Sequence, residues 1–293
     1  QWFANMKELL KDKCKQAKSF LIETPFIDHK GVPISTMLLT FGEVDSLSHF
    51  ATSSLEKITD EDIGEAGRNR IYMKMGLDKS SLVMELMSLC NTASWYTVLT
   101  SHVGKDGTMA TGPHQVPTKT MQYQKLGEKY KGVPDNFLQL CTVFLEISKS
   151  SLEINQTTKG PNWPKTRDMV DEGSTDLNRI TVKVIRNKAG GSGGSVELIV
   201  SQTEGVLPSL SEFVHIHEER YGISGNNTTY HLDLYPSENI QRTTVRSLLD
   251  NDHKMRRAVK ITSDLLQIKK TYKTLKYEVP DPKDLYTFLE SKF

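Results

Sequence analysis

Apolar residues recur along this chain at two spacings. Trp2, Phe3, Met6, Leu9, Leu10, Cys14, Ala17, Phe20 and Leu21 stand between lysines at helical intervals, which predicts a helix over 2–22. Thr24-Pro25 breaks it. A short strand is expected at 35–41 and a second helix at 44–58, carrying His49, before a polar connection over 59–70. The strongest helical stripe is Leu82, Val83, Leu86, Leu89, Cys90, Ala93 and Tyr96, predicting a helix over 82–99 capped by Asp78 or Ser80. Residues 101–117 are loop-like, and 119–130 read as a short helix or a strand with a turn.

A turn at Gly132 and Pro134 then delivers Asp135 to an extended run in which Val143, Phe144, Leu145 and Ile147 predict a buried strand. Pro164 opens an expected helix over 163–171. Alternating Ile180, Val182 and Val184 predict a strand, and 196–200 another. Between them, Ala189-Gly190-Gly191-Ser192-Gly193-Gly194 resembles an engineered flexible linker in place of a mobile insertion, and it is set aside from the functional reading. A turn is expected at 222–227, a strand at 230–234, a largely helical stretch at 240–275 and a closing helix from Pro282.

Composition narrows the classes. The 293 residues suffice for one large core or two modest ones. A net charge of +1 excludes a global basic field, so any nucleic-acid contact must come from a local patch. From Arg242 to Lys276, ten Lys and Arg face three Asp; this is a solvated helix face or an RNA or phosphate surface. Cys14, Cys90 and Cys141 form no CxxC pair, which predicts a reducing, intracellular setting in which the sequon at Asn227 is irrelevant. No apolar run approaches the roughly 20 residues of a membrane span, so no membrane partner is expected. The chain opens on Gln1-Trp2 without a signal peptide and reads as a piece excised from a longer polypeptide.

Glu146 interrupts the apolar run after Asp135, and a carboxylate there must be paired, protonated or bound to a cation. Two converging carboxylates suit a hard divalent ion such as Mg²⁺ or Mn²⁺. The same residues also read as a turn Asp and an edge-strand Glu. Asp106 lies in a Gly-flanked loop and can add a third carboxylate, although Asp-Gly is itself a turn dipeptide. Glu85, on the long helix, is its rival, or pairs with a basic residue. His102 and His49 are candidate nitrogen ligands, or ordinary surface or core histidines. Lys149, Lys159 and Lys165 are candidate cations for a phosphate. Lys149 falls on the opposite strand face from Glu146, Lys159 in a loop and Lys165 at a helix start. His215-Ile216-His217 alternates on a strand-like face without a third ligand nearby, and is assigned to structure or surface.

The order of the helical lobe with Asp106, Pro134-Asp135-Asn136-Phe137, Leu145-Glu146-Ile147, Lys159 or Lys165, and the strand at 180–185 resembles the PD-(D/E)-K type cap-snatching endonucleases of bunyavirus L proteins, their nairovirus-like branch in particular. The resemblance covers roughly 80–200 and departs from the orthobunyavirus-like form at the His and at the carboxylate-x-Lys. It implies an α+β fold, a helical lobe on a small mixed twisted sheet. It implies one endonuclease domain over 1–293 with two lobes, a core at 80–200 and a C-terminal helical extension over 240–293. It further implies two Mn²⁺ or Mg²⁺ ions held by Asp106, Asp135, Glu146 and the carbonyl of Ile147, with Glu85 and His102 as alternates and Lys165 or Lys159 as the catalytic lysine. The implied substrate is single-stranded, capped host mRNA, cleaved to prime viral transcription. The implied partner is the rest of the polymerase chain, in the host cytoplasm and the virion. A second reading from a different class is a non-catalytic RNA- or protein-interaction module using the basic C-terminal helix.

Overall fold

The computed structural model describes residues 2–49, 65–105, 119, 121–226, 228–271 and 278–291. The chain divides into two compact units, 1–142 and 143–293, so the 80–200 stretch is shared between them. Helices and small sheets alternate throughout, and the class is α+β.

In the first unit, α1 (Trp2–Lys15) is followed by β1 (Leu21–Ile27), β2 (Pro33–Met37), β3 (Thr40–Val44), α2 (Glu65–Ala93), β4 (Trp95–Leu99), β5 (Val103–Lys105), β6 (Glu128–Tyr130) and α3 (Asp135–Leu140). The strands form three pairs: β1 with β2 antiparallel, β3 with β4 parallel, and β5 with β6 antiparallel. Met6 and Leu10 of α1 bury against Leu86 and Ala93 of α2, with Trp95 packed alongside. Between these elements Lys13 is buried, and its ammonium donates to Leu38 O, Thr40 Oγ1 and Ala93 O. All three of its protons are thereby placed.

Several expectations change here. The helix expected over 2–22 ends at Lys15, and Leu21 begins a strand. The one expected at 44–58 is replaced at its start by β3 and a 3-10 turn at Leu47–His49; residues 50–58 lie outside the described residues. The long helix begins earlier and ends earlier than 82–99. Asp78 and Ser80 are interior to it, and Tyr96 lies on β4. The aromatic and β-branched run Trp95-Tyr96-Thr97-Val98 favours a strand once it pairs with β3.

The second unit contains β7 (Val143–Leu152), α4 (Arg167–Glu172), β8 (Leu177–Asn187), β9 (Ser195–Ser201), β10 (Gly205–Val206), α5 (Pro208–Glu218), β11 (Ile223–Gly225), β12 (Thr229–Leu232), β13 (Tyr235–Gln241), α6 (Val245–Asn251), α7 (His253–Thr271) and α8 (Pro282–Glu290). One antiparallel sheet has the order β10-β9-β8-β7, and a second runs β11-β12-β13. The 189–194 stretch joins β8 to β9 in a hairpin. Helix α5 packs on β9 and α7, around a core that includes Trp163, Leu177, Ile199, Phe213, Tyr230 and Met255. Asp281 accepts from the Lys283 amide and Pro282 takes the first position of α8, the helix start that the sequence signals.

The His215-Ile216-His217 triplet is helical, not extended. Pro208 opens α5, and Leu210, Phe213 and Val214 bury one stripe of it. Residues two apart on a helix point roughly 200° apart, so the two histidines do not share a face. The stretch 240–275 also divides: β13 runs to Gln241 before α6 and α7.

Candidate functional site

Gly132 adopts φ +72°, and a Cβ there would meet Leu47 O at 2.5 Å. The glycine therefore lets the chain turn tightly against residue 47. Pro134 then precedes α3, whose first residue is Asp135. An acidic residue at a first helical position complements the dipole, which favours a helix over the extended run expected there. Asp135 belongs to the first unit.

Glu146 belongs to the second unit and lies on β7, in register with Lys183 of β8. The expected burial of this strand is inverted. Leu145 is 51% exposed and Ile147 68%, whereas Glu146 is 9% exposed. Strand alternation explains the reversal: Phe144, Glu146 and Ser148 share the covered face, and the odd-numbered apolar residues take the other.

Asp106 lies outside the described residues. Glu85 accepts from the Lys7 ammonium across the α1–α2 contact. His102 is exposed, with its ring edge-on to His49 at 5.4 Å between centroids, so the two candidate histidines are neighbours. Lys159 sits at φ +58° in an exposed turn, where its amide donates to Asn155 O at 2.9 Å. Lys165 precedes α4 instead of starting it. Its ammonium lies 2.8 Å from Glu204 and 3.9 Å from Asp250, and that bond holds the Glu204 carboxyl below its usual range. Among the described residues no three His, Cys, Asp or Glu gather closely enough to hold a metal ion.

The basic C-terminal stretch is largely engaged within its own unit. Arg246 binds Asp176 and Glu204, Lys260 binds Glu212 and Asp264, and Lys270 binds Glu219. Lys269 lies over the Tyr221 ring, 5.1 Å from its centroid. Burial lowers the pKa of His215, with Lys270 adding to it, and of His217, with Arg220 adding to it. His217 packs among Trp163, Phe213 and Tyr230.

Sequence reasoning missed a cavity of about 280 Å³ in the first unit, lined by Met75, Gly76, Lys79, Lys105 and the run Lys129-Tyr130-Lys131-Gly132-Val133-Pro134. Four lysines from three segments converge there. Met75 and Gly76 lie four and three residues before Lys79, on one face of α2. Lys129 stands opposite Gly104 in the β5–β6 register, and Lys131 lies across Gly104, whose missing Cβ leaves room for it. Lys79 is 6% exposed and its ammonium donates to Leu47 O at 3.0 Å. Burial depresses its pKa. The alternation of Lys129 and Lys131 around the buried Tyr130 is the one local signal of this grouping. No helix among the described residues is long and apolar enough to cross a membrane. No protein-family model matches the chain, and a search of curated proteins returns no match.

Proposed function

We propose that this chain is a divalent-metal-dependent RNA endonuclease of the PD-(D/E)-K type, resembling the cap-snatching nucleases of bunyavirus L proteins and acting on capped single-stranded RNA as part of a larger polymerase. The single observation that carries it is the buried Glu146 between exposed Leu145 and Ile147, eleven residues after Pro134-Asp135. Turning a carboxylate inward and two large aliphatics outward is unfavourable unless the carboxylate is paired or bound to a cation where it points.

The donor chemistry suits Mn²⁺ or Mg²⁺, because carboxylate and carbonyl oxygens are hard ligands. Asp106, Asp135, Glu146 and the carbonyl of Ile147 would hold the ions, with Glu85 and His102 as alternates. Bound there, the ions supply an activated water and charge stabilisation at the leaving oxygen. The carboxylates contribute negative charge and orientation, and Lys165 or Lys159 contributes a positive charge toward the phosphate in the transition state. For Lys165 that role requires exchanging its bond to Glu204 for one to substrate.

Melting curves with and without millimolar Mn²⁺ test the proposal, together with cleavage of a labelled single-stranded RNA. Mn²⁺ raises the melting temperature of the wild type, because an ion bound only by the folded state stabilises it. Asp135→Ala and Glu146→Ala remove both that rise and the cleavage. A Mn²⁺ shift that persists unchanged in both variants overturns the reading.

A further inference from the structure

We propose that the Lys79–Lys105–Lys129–Lys131 cavity is a binding subsite for a backbone phosphate of single-stranded RNA. This deepens the nuclease reading and rests on it for the identity of the polymer.

The buried lysine carries the inference. Two lysines of the first unit are buried at 6% exposure, Lys13 and Lys79. Lys13 has an acceptor for each of its three protons. Lys79 has one, Leu47 O, and no carboxylate partner among the described residues. Among the described residues no carboxylate balances this buried ammonium, and an external anion would do so. The other three lysines are exposed at the rim, and none forms an ion pair among the described residues. Glu128, the nearest strand-register neighbour of Lys105, pairs with Lys125 instead, at 3.2 Å.

Size and position choose the anion. About 280 Å³ lies below the roughly 300–1,000 Å³ of pockets that enclose drug-sized ligands. A phosphate with part of its sugar is the matching scale, and lysines bind phosphate as mobile point charges. The lining ends at Pro134, one peptide unit from Asp135, about 3.8 Å between Cα atoms. A strand of RNA held by this cavity therefore passes beside the aspartate of the proposed metal centre.

The test is fluorescence anisotropy with a labelled single-stranded RNA in EDTA, so that neither metal binding nor cleavage enters. The pocket variant Lys105→Ala/Lys129→Ala/Lys131→Ala is compared with Lys11→Ala/Lys18→Ala/Lys30→Ala, which removes equal charge from exposed sites of the same unit. The pocket variant weakens binding by about tenfold or more and flattens the salt dependence by roughly 0.7, the share of one lost phosphate contact. The control changes affinity by less than about threefold. Lys79→Met reproduces a loss of affinity with an unchanged circular-dichroism spectrum. Equal losses in the two triple variants, or wild-type affinity in the pocket variant, overturn the proposal. Lysine-dependent binding with no Mn²⁺ shift in melting leaves the subsite standing and removes the nuclease. The converse pattern removes only the subsite.

Discussion

The two units treat their buried cations in opposite ways. In the second, Arg179 bonds to Glu153, Glu197 and Glu218, and Arg246 bonds to Asp176 and Glu204. Each guanidinium meets one inward carboxylate, Glu153 at 5% exposure for Arg179 and Asp176 at 17% for Arg246, with more exposed carboxylates around it, so the charge is balanced within the fold. In the first, Lys79 is buried but meets, among the described residues, a single carbonyl, and three further lysines ring the same cavity. Balanced networks hold sheet and helices in register, whereas an unbalanced one leaves electrostatic free energy to be released by a ligand. Charge density alone would not separate these cases; the availability of partners does.

The largest effect expected from this contrast is on Arg246, which is 3% exposed. Arg246→Ala leaves Asp176 without its guanidinium and Glu204 with Lys165 alone, and costs about 3–5 kcal/mol, read from urea unfolding. A loss under about 1 kcal/mol would mean that the network is ornamental.

Next is the acid limb of stability. Hydrogen bonding from Arg246, joined by Ser201, holds the Asp176 carboxyl down at about 2 against the opposing effect of burial. The unfolded value is roughly 3.9. A depressed carboxylate stabilises above its unfolded pKa, so about 2–3 kcal/mol is present above roughly pH 5 and is lost as pH falls through about 2. Asp176→Asn should flatten the unfolding free energy across that window. A wild-type slope in the variant assigns the acid sensitivity elsewhere.

Lys79→Met sharpens the comparison from the other side. Removing an uncompensated ammonium while losing one hydrogen bond should change stability by less than about 1 kcal/mol. Loss on the scale of Arg246→Ala would show that Lys79 is balanced within the fold after all. The smallest effect belongs to Gly104→Ala, where the new Cβ would meet the Lys131 Cε at 2.5 Å. A flexible side chain gives way, so stability shifts by less than about 0.5 kcal/mol. RNA affinity in EDTA should nonetheless fall, by less than in the triple variant, because Lys131 is displaced from the cavity.

Local chemistry made parts of this molecule readable. The Gly-rich joint between the strands at 180–185 and 196–200, the Asp281-Pro282 helix start and the oddity of Glu146 all follow from neighbours in sequence. The α+β class follows as well, since periods of 3.6 and 2 both occur. One failure lies where a distant partner arbitrates, since the strand at Trp95–Leu99 needs β3 beside it; the other is local, since the 215–217 triplet takes its form from the helix that Pro208 begins. Of the candidate site, the sequence marked Asp135 and Glu146 but assigned no role to Lys79, Lys105, Lys129 or Lys131.

What the sequence determined by itself, then, are the features set by residues in contact along the chain: turns, caps, periodicities and the misplaced carboxylate in an apolar run. The tertiary structure alone decided two others. Tertiary packing covers the face of β7 that carries Phe144, Glu146 and Ser148, and strand alternation sends Leu145 and Ile147 to the other. Folding also brought Lys79, Lys105, Lys129 and Lys131 around one cavity from places up to 52 residues apart. Apart from the alternation of Lys129 and Lys131, long-range convergence of like charges leaves no trace along the chain, because nothing beside each lysine in sequence marks it.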